Sequence, residues 1–220
     1  MNSTFQTLSK HLPFIFPFLI IFCSSSIAQI SADDNNSMEK AQQLFQQRNF
    51  NGAIKIYDMI IAKDTDYVAA YVQRGLAKSY AGNNAGAIED YSHAIQKNGN
   101  DISALWNRGT EYRLMGQYQE SIADFNKALE IDSLSMHASE LYENRGWAKY
   151  DAGEYKSSIS DFTKAIYRNS KSAHSYYLRG KAKQKLNKLD EACEDWQIAQ
   201  DLGYQFSEQE IEMFCKKTLR

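Results

Sequence analysis

The chain has 220 residues, 43% of them hydrophobic and 24% charged, so it can bury a core and stay solvated. Its formal net charge of -2 offers no basic excess for nucleic acid. Both prolines, Pro13 and Pro17, lie near the N-terminus. The rest, with Ala, Leu, Lys, Glu and Gln at helical spacing, predicts an all-α domain.

Residues 1–28 read as a targeting segment. Lys10 and His11 precede the apolar run Leu12 to Cys23, which is shorter than the roughly 20 residues a bilayer span needs. Ser26 and Ala28 then have the spacing a signal peptidase accepts, which predicts cleavage after Ala28 and a secreted or periplasmic protein without an integral span. Two alternatives stand beside it. One is an uncleaved membrane anchor. The other is a lipoprotein acylated at Cys23, for which Phe22 is bulkier than the small residue expected there.

After a short linker, 29–33, the chain repeats itself. Arg-Gly pairs stand at Arg74-Gly75, Arg108-Gly109, Arg145-Gly146 and Arg179-Gly180, at spacings of 34, 37 and 34 residues. Three residues before each arginine is Tyr71, Leu105, Tyr142 or Tyr176. Seven after each glycine is Gly82, Gly116, Gly153 or Asn187. Then follow a small residue (Ala87, Ser121, Ser158, Ala192), an aromatic (Tyr91, Phe125, Phe162, Trp196) and an alanine (Ala94, Ala128, Ala165, Ala199). Ala41, Phe50, Ala53 and Tyr57 form a degenerate first copy.

The grid describes helix pairs joined at a glycine or asparagine turn. Small residues let the paired helices approach, and the aromatic is expected to fill the space toward the next repeat. The repeats run 34–67, 68–101, 102–135, 139–172 and 173–206, with an insertion, Met136 to Ala138, expected between helices. Asp101, Ser135 and Ser172 stand where caps are wanted. Residues 207–220 are expected to form a capping helix, with Ser207 as its cap and Glu210 completing a capping box.

This pattern resembles the tetratricopeptide repeat family across residues 34–206. The resemblance implies a right-handed superhelical solenoid of antiparallel helix pairs and a scaffold, not an enzyme. Thr65, Gly99, Ser133 and Ser170 replace the family's usual proline. The stretch from Cys193 to Cys215 resembles the final repeat and cap of exported repeat proteins from Bacteroidetes-type bacteria.

Each of Arg74, Arg108, Arg145 and Arg179 is followed sixteen residues later by Asp90, Asp124, Asp161 or Asp195. The first copy lacks both, with Lys40 and Ile56 in their places. Joint presence and absence predict an ion pair within each repeat. The alternatives are a charged ligand row, or pairs running to the next repeat, such as Asp90 with Arg108.

The resemblance also implies that the first helix of each repeat lines a concave groove. Its inward positions include Gln73, Tyr80, Trp106, Asn107, Arg113, Glu143, Asn144, Trp147, Tyr150, Tyr177 and Lys181, with Lys185 beyond. Trp106, Trp147 and Tyr177 read as spare from packing and so as binding residues. The paired asparagine position suits an extended peptide backbone. The expected partner is therefore a protein or extended peptide. The alternative is an assembly subunit of a cell-envelope complex that uses its convex face or ends. The family's chaperone-tail clamp is absent, because Val72, Trp106, Glu143 and Tyr177 stand where its lysine would be.

His93, His137 and His174 fall in no zinc-like spacing, and no phosphate loop or nucleophile motif is present, so no metal, cofactor or catalytic residue is expected. After cleavage only Cys193 and Cys215 remain. They are expected to pair in an oxidising compartment; the alternative is two buried thiols.

Overall fold

The computed structural model describes residues 35–134 and 137–215. The signal segment, the linker, Cys23, Ser135, Met136 and residues 216–220 lie outside the described residues.

The described chain is all helix and turn. Helix α1 occupies 35–46. It is followed by α2 (Phe50–Lys63), α3 (Val68–Tyr80), α4 (Asn84–Lys97), α5 (Ile102–Leu114), α6 (Tyr118–Ile131), α7 (Ala138–Asp151), α8 (Tyr155–Arg168), α9 (Ala173–Lys185) and α10 (Leu189–Asp201). A short α11 (Ser207–Glu210) runs into a π-helical turn, Ile211–Cys215.

The turns inside the pairs come from single left-handed residues. Gly82, Gly116 and Gly153 have φ of 84°, 75° and 79°, and Asn187 and Arg48 take φ of 58° and 60° at the same repeat position. Each lets the chain close a Schellman motif. After α3, Asn83 N–H donates to Lys78 O at 2.8 Å and Gly82 N–H to Ser79 O at 2.9 Å. Asn49, Asn83, Asp101 and Ser172 cap the following helices by accepting from backbone N–H groups three residues on.

The small columns are where helices cross. Ala53, Ala87, Ser121, Ser158 and Ala192 are fully buried, as are Ala94, Ala128, Ala165 and Ala199. The aromatics Tyr91, Phe125, Phe162 and Trp196 are also fully buried. Each lies against the glycine of its own repeat: Tyr91 on Gly75, Phe125 on Gly109, Phe162 on Gly146 and Trp196 on Gly180. The ring therefore closes its own helix pair, and it also clusters with the first helix of the next repeat, as expected: Tyr91 with Ala104, Phe125 with Leu141 and Phe162 with Leu178. The first helices touch in succession, α3 with α5, α5 with α7 and α7 with α9, so they form one continuous face.

Two local expectations are corrected. Ala138 is the first residue of α7 and is buried, so the inserted residues lengthen the preceding connection without including it. At the C-terminal end, Ser207 does not cap. Phe206 takes the cap position without a side-chain bond, and Ser207 is fully buried inside the first turn. Residues 211–215 follow a π-helical path, not an α-helix, which carries Phe214 onto Trp196 (ring centroids 6.0 Å apart) and Cys215 to Cys193.

Candidate functional site

The strongest electrostatic feature lies between the helices of each pair. Arg74 meets Asp90, Arg108 meets Asp124, Arg145 meets Asp161 and Arg179 meets Asp195. Each is a two-point fork, Nε to Oδ2 at 2.8–2.9 Å and Nη2 to Oδ1 at 2.6–2.7 Å. The aspartates are almost wholly buried. Lys78, Lys149 and Lys183 add a second cation to Asp90, Asp161 and Asp195. Hydrogen bonding to Asp124 holds the Arg108 guanidinium above its ordinary pKa against the opposing effect of burial.

The arginines do a second thing that the repeat grid did not reveal. Nη1 of each reaches back to the preceding repeat: Arg74 to Asp58 (2.7 Å), Arg108 to Ser92 (3.0 Å), Arg145 to Asn126 (2.8 Å) and Arg179 to Thr163 (3.2 Å). A polar residue two places after each aspartate position was the available signal. These charges are consumed in building the stack.

The groove residues lie along the first helices with unequal freedom. Trp106 and Asn107, with Ile102, Ser103 and His137, line a pocket of about 250 Å³ between the starts of α5 and α7. The Asn144 amide donates to Glu140 O of its own helix at 2.8 Å. Arg113 stacks over Trp147, 3.9 Å from the ring centroid, and pairs with Asp151 at 3.1 Å. Tyr80 is exposed and meets Phe45 and Phe50 edge-on or tilted, with ring centroids 5.2 Å and 5.5 Å away. Tyr150 packs edgewise on Tyr155, 5.4 Å away, and burial raises its phenol pKa. Gln73 is half-buried on α3, and Lys181 sits 5.6 Å from the Tyr177 ring.

Trp106, Trp147 and Tyr177 are therefore not spare from packing. Trp106 and Trp147 are half-buried against hydrophobic clusters, because flat rings at these positions also reach the neighbouring helix. Tyr177 is tied to the cap. Its hydroxyl donates to Glu210 at 3.2 Å, and Tyr204 lies 4.8 Å away. Burial, then the Glu210 charge, pushes its phenol up to about 12.

Glu143 is bound as tightly. It accepts from the hydroxyls of Ser172 (2.9 Å) and Ser175 and lies 2.9 Å from His174 Nδ1. It joins α7 to α9. Glu111 was missed altogether. It is buried where the other repeats carry Ala77, Ala148 and Ala182, accepts from the Ser79 hydroxyl, and helps burial raise the Tyr91 phenol. Among the described residues no group of three His, Cys, Asp or Glu is placed to hold a metal ion. No helix among them is long and apolar enough to cross a membrane.

The tetratricopeptide repeat family matches residues 103–133, 139–172 and 173–195. The chain thus contains tetratricopeptide repeats, stacked as an all-α solenoid. No curated protein matches it in sequence. Among solved structures, it is similar to a MamA fragment from Desulfovibrio magneticus RS-1, at 13% identity and TM-score 0.72 over 77% of this chain and 94% of that one. It is also similar to pilF of Pseudomonas aeruginosa, at 16% and 0.71 over 80% and 79%. A third is YrrB, described as a TPR protein with an unusual peptide-binding site, at 16% and 0.71 over 86% and 97%. At these identities the likeness is one of fold.

Proposed function

We propose that this chain is an exported scaffold that binds an extended segment of a partner protein along the face of its first helices. The observation that carries the reading is the pocket between α5 and α7, where a half-buried tryptophan and an asparagine amide flank open space. An apolar anchor beside a group that can pair with peptide N–H or C=O is what extended-chain recognition needs. The peptide-binding site named for YrrB supports the reading by analogy of fold.

The charged rows do not serve here, since they are spent inside the stack. Export rests on residues 1–28, and N-terminal sequencing of the exported protein should begin at Gln29. A secreted location would also favour the Cys193–Cys215 bond.

The test is capture of envelope proteins by immobilised wild type and by Trp106→Ala, with helicity checked by circular dichroism. A partner lost with Trp106→Ala while the helical signal persists supports the groove. An unchanged set of captured proteins, or an unfolded variant, removes it. The competing reading, an assembly subunit acting through its outer surface, is favoured by the charges on α8 and α10.

A further inference from the structure

The outer surface of the solenoid changes sign between its last two repeats. On α8 the exposed positions carry Lys156, Lys164 and Arg168 with Tyr167, and no acid. On α10 they carry Asp190, Glu191, Glu194 and Asp201 with Ile198, and no base. The two helices are neighbours, since the guanidinium of Arg179 bonds Thr163 on α8 and Asp195 on α10 at once. Both helices pack on α9 as the second helices of consecutive repeats, so the basic and acidic stripes lie on adjoining second helices.

Parts of this charge are already engaged. Glu191 pairs with Lys188, Asp201 accepts from Gln197, and Lys164 and Arg168 flank the Tyr142 ring. All these charged groups nonetheless remain exposed. Tyr167 is 90% exposed and Ile198 38%. Large apolar side chains on a charged outer face are what an interface core would use.

From this geometry we infer that α8 and α10 form a self-complementary surface for a second copy of the same chain, about a twofold axis between the helices. In such an isologous contact α8 of one copy meets α10 of the other, and each acidic stripe faces a basic one twice. As second helices of successive antiparallel pairs, α8 and α10 run in the same direction, so this twofold lies along them and makes the facing helices parallel. The spacing fits. Lys156 to Arg168 covers about 18 Å of α8 and Asp190 to Asp201 about 16 Å of α10, at 1.5 Å per residue. The approach sets Lys156 near the other copy's Asp190, Lys164 between its Glu194 and Asp201, and Arg168 near its Asp201. This surface lies on the second helices, so it is independent of the groove on the first helices.

The test is sedimentation equilibrium of the expressed full chain at low and high ionic strength, beside two charge-reversed variants. One is Lys156→Glu with Lys164→Glu. The other is Glu194→Lys with Asp201→Lys. Lys156→Glu places acid near the start of α8 and Asp201→Lys places base at the end of α10, each favourable to the helix dipole. Circular dichroism confirms that each is folded.

Wild type should dimerise at low salt and weaken as salt screens the pairs. Each variant alone should raise the dimer dissociation constant by more than about tenfold, since like charges then face each other. An equimolar mixture of the two variants should dimerise again, as each reversed helix finds its opposite. A monomeric wild type at low salt overturns the proposal. So does a dimer indifferent to both reversals, or a mixture of variants that stays monomeric.

Discussion

Arg108 grips Asp124 by two parallel hydrogen bonds, Nε to Oδ2 at 2.8 Å and Nη2 to Oδ1 at 2.7 Å. Its third nitrogen, Nη1, turns to Ser92 of the preceding repeat at 3.0 Å. One side chain therefore fixes the spacing inside its repeat and the seat of that repeat on its neighbour. The same double duty recurs at Arg74, Arg145 and Arg179, so pair geometry and stack geometry are set together.

This arrangement makes the third repeat the most sensitive to loss of its arginine. Tyr112 stands where Lys78, Lys149 and Lys183 supply a second cation, so among the described residues Arg108 alone neutralises Asp124. Arg108→Ala is expected to destabilise the protein by about 3–5 kcal/mol, because a buried carboxylate loses its partner. Arg145→Ala should cost measurably less, since Lys149 remains 2.7 Å from Asp161. Urea unfolding of the two variants decides this. Equal losses would show that the lysines give no support.

Gly180 tests the contact that closes each pair. A Cβ there would come 2.5 Å from Trp196 Nε1, 2.7 Å from its Cδ1 and 3.1 Å from the Ala192 carbonyl. The indole is fully buried and donates to Tyr177 O at 3.2 Å, so it has little room to move. Alanine gains about 1 kcal/mol over glycine inside a helix. Overpacking of about 1–3 kcal/mol opposes it. Gly180→Ala should therefore lower stability on balance and redshift the Trp196 emission. A variant as stable as wild type would mean that the indole swings aside freely.

The repeat architecture was readable because every copy meets the same steric demands. A glycine lies under a ring, an alanine at a crossing and a left-handed residue at the turn, and few residue types satisfy each. The intra-repeat pairs were readable from arginine and aspartate appearing and vanishing together. Their backward bonds were not, because Asp58, Ser92, Asn126 and Thr163 share polarity but not identity. Glu111 was hidden for a related reason: a buried carboxyl in an alanine column looks like a surface residue in a string. Exposure along the first helices was the least legible. Trp106 and Trp147 reach both the groove side and the adjoining helix, and only packing tells how much of each ring remains free.

The junction of α7 and α9 should respond to acid. Burial alone would raise the Glu143 pKa, but the bonds from His174, Ser175 and Ser172 and the His174 charge hold it below its ordinary 4.5. A carboxyl depressed in the folded state stabilises fully above its unfolded pKa, and that contribution is lost as pH falls through the folded value. Glu143→Gln should therefore be less stable than wild type above about pH 4.5, with the gap closing below it. Urea midpoints measured across the acid range would show this. A gap that stays constant with pH would mean that the charge of Glu143 contributes nothing to the junction.

The C-terminal end gives the last prediction. No repeat follows α10 among the described residues, so its inner surface is covered by the short α11 and the π-helical turn. Phe214 lies over Trp196, and Glu210 accepts from Tyr177. Such an end frays easily, because only a few side chains hold it. Cys193 and Cys215 are paired across it, 22 residues apart in sequence with Cα atoms 5.8 Å apart. Closing a loop of that length removes unfolded-chain entropy worth about 3 kcal/mol in the chain-entropy account. Reduction, or Cys193→Ser with Cys215→Ser, should lower stability by up to that amount. The loss should be concentrated locally. Amide exchange should quicken over 207–215 and the adjoining face of α10, while α3 to α6 keep their protection. The Tyr177 phenol should titrate closer to its ordinary 10.0 once Glu210 moves away. Unchanged exchange in the reduced protein would show that packing alone holds the cap, and two reactive thiols in unreduced, denatured protein from its native compartment would show that the bond does not form there.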